Sequence, residues 1–119
     1  DPDNDEDLPE VRRLARAKLD EVGWDLYRAY QWSVNIPYIP EDTAYSVTGG
    51  ALYAFHNNQG DCIAKAASFC VMARELGYPC NVIWGQVPLA RGGMSPHAWT
   101  EIVYNGSTYV YEKDSVWTD

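Results

Sequence analysis

The feature that most constrains this chain is a change of hydrophobic period at Gly77-Tyr78-Pro79. Before it, apolar residues recur every three or four positions, the spacing of a buried helix face. After it they form short runs rich in β-branched and aromatic residues, the pattern of strands. A chain that finishes its helices before it starts its strands is not built from alternating βαβ units. The expected class is therefore α+β, with N-terminal helices packed on a small antiparallel sheet. A length of 119 residues suits one domain with one core.

Pro9 at a first-turn position and the stripe Leu8, Val11, Leu14, Ala15 and Leu19 predict a helix ending near Gly23. A second helix is expected from about Trp24 to Val34, stopped by Pro37 and Pro40. Gly49-Gly50 is expected to break the chain before a short helical stretch from Ala51 to about His56, and residues 56–60 read as a polar loop. Asp61 is a credible N-cap for a third main helix, with Ile63, Ala66, Ala67 and Cys70 at helical spacing and a stop at about Leu76. Residues 80–87 read as a strand. The segment from His97 to Tyr104, turning at Asn105-Gly106 into Ser107 to Glu112, is a strong hairpin signal.

Charge narrows the function classes. The formal net charge is −8, but six acids lie in the first ten positions, which leaves nine basic and eleven acidic residues elsewhere. Residues 1–7 therefore read as a mobile, solvated acidic lead-in or linker, and residues 8–119 as the single domain. No basic stripe is available for nucleic acid. No apolar run approaches the roughly 20 residues of a membrane span. The start at Asp1 suggests trimming upstream, and together with the acidic lead-in leans toward an extracellular or cell-surface place for the chain.

Cys62 carries the first chemical signal. At the start of a helix, unpaired backbone N–H groups and the helix dipole favour a thiolate, which is expected to lower the thiol pKa. Gly60 just before it leaves room for a substrate backbone, and first-turn N–H groups, or the Gln59 amide, are candidate oxyanion donors. A lone cysteine at a helix start is nonetheless more often a packing residue. His97 opens a strand, and a two-residue turn at Asn105-Gly106 sets the register: Tyr104 faces Ser107, Trp99 faces Glu112, and His97 faces Asp114. Either acid on that strand is a candidate to hold the imidazole, although acids on a terminal strand are commonly solvated edge residues. Trp32, Trp84 and Trp99 read as core or cleft-wall aromatics, and His56 as a loop histidine. Cys70 and Cys80 read as buried. A disulfide between them is an option in an oxidising compartment, and there is no Cys-x-x-Cys pair to suggest structural zinc.

Three ordered blocks resemble the transglutaminase-like superfamily, with its papain-like core, over most of the chain. Gln59-Gly60-Asp61-Cys62, then Ala66, residues 74–79 and Gly85, resemble its Gly-x-Cys helix, Leu-Gly-x-Pro turn and following strand. His97-Ala98-Trp99-Thr100-Glu101-Ile102 is similar to its His-Ala-Trp-x-Glu-x strand, and residues 32–38 to the Trp-x-x-x-x-x-Tyr segment that precedes the nucleophile. The resemblance implies a thiol-dependent amide hydrolase or acyl transferase of protein or peptide substrates. Cys62 would be the nucleophile, His97 its base and Glu112 the acid, and neither a metal nor an organic cofactor is needed. Gln59, Gly60, Asp61, Trp32, Trp99 and Asp114 would lie about the cleft. The stretch around the acid, residues 108–113, departs from the Trp-Tyr-Val-x-Asp-Pro pattern at Thr108, Glu112 and Lys113. The alternative is an inactive binding or structural module, part of a longer surface protein.

Overall fold

A computed structural model describes residues 2–40, 46–88, 90–112 and 115–118, with the side chains of 95, 96, 112 and 115–118 outside that description. Among the described residues four helices are followed by four strands: α1 (Pro9–Val22), α2 (Leu26–Asn35), α3 (Val47–Asn57), α4 (Cys62–Glu75), β1 (Cys80–Pro88), β2 (Met94–Tyr104), β3 (Ser107–Glu112) and β4 (Ser115–Thr118). The strands form one antiparallel meander in the order β1-β2-β3-β4.

The organising element is α4. Of the ten positions from Ala64 to Ala73 all but Lys65 are buried, because the run is apolar or small on every side and such a helix belongs inside a fold. The other helices flank it, and β1 and β2 pack on it as well. Ala98, Thr100 and Ile102 point from β2 into this core. Tyr30 of α2, Phe69 of α4 and Tyr111 of β3 meet with ring centroids 5.0–5.3 Å apart, in tilted and edge arrangements. The favourable geometry of these three rings ties both helices to the sheet.

Two expectations are corrected. Gly49 and Gly50 lie inside α3, which begins at Val47 under a Ser46 cap. Gly50 marks close helix packing, since a Cβ there would stand 3.1 Å from the Ala67 Cβ of α4. Nor is the acidic start a wholly solvated lead-in, although Asp3 and Glu6 are exposed. Asn4 exchanges two hydrogen bonds with the Val82 backbone at the outer edge of β1, Asp5 accepts from the Thr48 N–H at the start of α3, and Asp7 pairs with Arg74 at 2.6 Å. Asn4 satisfies a free strand edge, while Asp5 and Asp7 meet a helix N-terminus and a half-buried guanidinium that need acceptors.

Candidate functional site

Cys62 is the first residue of α4. Asp61 caps the helix, its side chain accepting from the Ala64 N–H at 2.9 Å while its carbonyl accepts from Lys65. The thiol is half-buried against β2. Burial pushes its pKa above the ordinary value, and the Asp61 carboxylate adds to that. Backbone hydrogen bonds from Ala98, Ile63 and Cys62 itself oppose the rise, so they favour the thiolate and act as N–H donors. This corrects the expectation of a lowered pKa. The helix start does supply the donors, but desolvation and the capping carboxylate outweigh them.

The contact with Ala98 sets the geometry. The β2–β3 ladder runs from Tyr104↔Ser107 to Thr100↔Tyr111, and Ala98 lies two residues beyond its last pair, where β2 presents a backbone N–H that the sulfur takes. His97, half-buried and opposite Gly85 in the β1–β2 register, is the next residue along. The Thr100 hydroxyl donates to the Ala66 carbonyl at 2.9 Å, deep in the interface. One turn from Cys62 on α4 is thereby pinned two residues from Ala98 on β2. The expected pairing of Tyr104 with Ser107 is found. The ladder ends at Thr100↔Tyr111, one residue short of the expected pairing of Trp99 with Glu112, and Glu112 pairs instead with Ser115 of a fourth strand not anticipated from sequence. Asp114 lies outside the described residues, as does the side chain of Glu112.

The remaining candidates divide. The space beside Gly60 is taken, for a Cβ there would meet the Ala64 Cβ at 2.5 Å, so its smallness serves packing rather than substrate approach. Gln59 gives an amide N–H to the Tyr53 hydroxyl at 3.4 Å. Trp32 stacks on Phe55 and lies under the Lys18 ammonium, 4.7 Å from the ring centroid. Trp99 bonds Glu101 at 3.0 Å and covers Gly85. His56 stands 3.9 Å from the Glu10 carboxylate on α1. Among the described residues no group of three or more His, Cys, Asp or Glu could hold a metal ion, and no helix is long and apolar enough to cross a membrane.

One neighbour of the thiol had no chemical role assigned from sequence. Residues 37–39 run beside the nucleophile loop, with the Ile39 N–H donating to the Gly60 carbonyl, the Gly60 N–H to the Pro37 carbonyl, and Tyr38 bridged to Gly60. Tyr38 is 59% exposed, yet covering first, and then Cys62 and Asp61, push its phenol up. Pro37 and Pro40 on either side were the available signal: they favour an extended strap rather than a mere helix stop.

A helix-capped thiol set against an antiparallel sheet is the arrangement of the papain-like and transglutaminase-like fold. The family model of the transglutaminase-like superfamily matches residues 11–117, and the chain belongs to that superfamily. Among solved structures it is similar to the "Putative Cysteine Protease from Cytophaga hutchinsonii", with a TM-score of 0.66 and 19% identity over 87% of this chain. The match spans 37% of that longer chain. No curated protein sequence matches.

Proposed function

We propose that the chain is a thiol-dependent amide hydrolase or acyl transferase acting on protein or peptide substrates. The observation that carries this reading is the half-buried Cys62 sulfur at a helix N-terminus, bonded by the backbone of the residue next to His97. A thiol whose pKa is raised by burial is mostly protonated near neutrality and needs a base. His97 takes its proton as the sulfur attacks the carbonyl carbon, and the N–H of Cys62 faces the developing oxyanion. Collapse breaks the C–N bond, the amine leaves with the proton returned by His97, and a thioester remains on Cys62. Water then releases an acid, or a second amine receives the acyl group. Glu112 holds the imidazole in the tautomer that accepts the proton.

The test is the pH dependence of Cys62 alkylation by iodoacetamide, located by peptide mapping, in the wild type and in His97→Ala. Cys62 should react near neutral pH ahead of the buried Cys70 and Cys80. The variant should lose about tenfold or more at pH 7 and show an apparent pKa above the usual thiol value of about 8.5. Equal profiles in both chains would remove the thiol–imidazole pair. They would favour the second reading, an inactive module on an inherited fold, which the raised Cys62 pKa and the departures at Thr108, Glu112 and Lys113 already recommend.

A further inference from the structure

The other two cysteines are independent of this chemistry. Cys70 is wholly buried in the middle of α4 and Cys80, 7% exposed, opens β1. Arg74 follows Cys70 by four positions, on the same face of the helix, and its guanidinium donates twice to the Cys80 carbonyl, from Nε at 3.2 Å and from the second terminal nitrogen at 3.1 Å. The same side chain is anchored from the other side by Asp7 at 2.6 Å and by the Asp5 carbonyl at 3.2 Å. The chain between helix and strand is the tight turn 76–79, closed by bonds from the N–H groups of Leu76, Gly77 and Tyr78 to α4 carbonyls. Helix and strand are thus clamped beside Cys80, one turn along α4 from Cys70, and both cysteines lie in the same buried core cluster; burial first, and then Cys70, pushes the Cys80 thiol well up. Both are free in this structure.

We propose that Cys70 and Cys80 form a dithiol that closes to an intrachain disulfide by exchange with a low-molecular-weight disulfide, stapling α4 to β1 and leaving Cys62 as the single free thiol. In the first exchange the thiolate of one cysteine attacks the small disulfide and expels one small thiolate. In the second, its partner attacks the resulting mixed disulfide and expels the other. Two protein S–H groups are oxidised and one small disulfide is reduced to two thiols. Because both sulfurs are buried and that of Cys80 is held protonated, exchange proceeds as the chain folds or as the turn 76–79 opens. The folded dithiol therefore does not compete with Cys62 for alkylating reagents.

The experiment equilibrates the full chain in buffers of reduced and oxidised glutathione, quenches with an alkylating agent in denaturant, and maps the peptides. The staple predicts linked Cys70 and Cys80 peptides with Cys62 alkylated or carrying glutathione. It also predicts a melting temperature raised by about 5–10 °C, from closing a loop of roughly eleven residues. A Cys62→Ala chain should reach zero free thiols as a monomer. Cys70 and Cys80 still fully alkylatable in the oxidising buffer, a bridge from Cys62 to either of them, or a linked form that melts no higher than the reduced one would overturn it. Loss of Cys62 reactivity without loss of the bridge would sink only the proposed acyl chemistry.

Discussion

Asp61 has two separable effects on the candidate site, and substitution can part them. Its side chain caps α4 through the Ala64 N–H at 2.9 Å, and its charge helps to hold the Cys62 thiol above the ordinary pKa. Replacing it by alanine removes cap and charge together, whereas asparagine keeps an oxygen that can cap and removes only the charge. Loss of an N-cap costs about 1 kcal/mol. A chain of 119 residues unfolds with an entropy near 0.25 kcal/mol/K, so Asp61→Ala should lower the melting temperature by about 4 °C. Asp61→Asn should cost only the weaker interaction of a neutral oxygen with the helix dipole, about 0.3–1 kcal/mol or roughly 1–4 °C. Its melting temperature should fall between those of wild type and Asp61→Ala. Both variants should lower the apparent pKa of Cys62 in a pH series of alkylation rates, since each removes a negative charge beside a thiol that must ionise. The reasoning is refuted if Cys62 in Asp61→Asn titrates at or above the wild-type value, or if Asp61→Ala melts with the wild type.

Three other changes bear on how the site is held. Thr100→Val removes the hydroxyl bonded to the Ala66 carbonyl and should cost about 1 kcal/mol in urea unfolding, with Cys62 alkylation losing part of its dependence on His97; an unchanged unfolding midpoint would mean that this bond does not anchor β2 to α4. Gly85→Ala places a Cβ against the Trp99 ring, with its second-nearest ring atom at 3.0 Å, so the indole must move, at about 1–3 kcal/mol; tryptophan fluorescence and thermal melts should both shift, and neither shifting would show that Trp99 does not cover that strand. Asp7 is held above the usual carboxylate pKa because burial outweighs its close pair with Arg74, with Glu75 and Asp5 adding repulsion. Its contribution to stability is therefore greatest below the unfolded value near 3.9 and is lost as pH rises through the higher folded pKa. Relative to wild type, Asp7→Asn should gain stability as pH rises from about 4 toward neutrality, and a loss relative to wild type over that range would reverse the assigned direction.

What could be read from the sequence follows from how local each signal is. The period change at Gly77-Tyr78-Pro79, the Asp61 cap and the Asn105-Gly106 turn each depend on a few neighbouring residues, and all reappear: α4 ends at Glu75, Asp61 caps it, and Tyr104 pairs with Ser107. The misread features depend on contacts from elsewhere in the chain. Gly49-Gly50 looks like a breaker until Ala67 of α4 needs the space, and six acids look like a solvated tail until β1, α3 and Arg74 supply donors for three of the first seven residues. The same distinction governs the thiol. A helix start is visible in sequence and argues for a low pKa, but burial by β2 is a long-range property and reverses the sign. A thiol whose pKa is raised is held protonated, so the proposed chemistry is conditional on a base. On the proposed acyl chemistry that base is His97. The bonds seen to hold the start of α4 and β2 in place are that of Thr100, which ties β2 to α4, and that of Asp61, which caps the first turn.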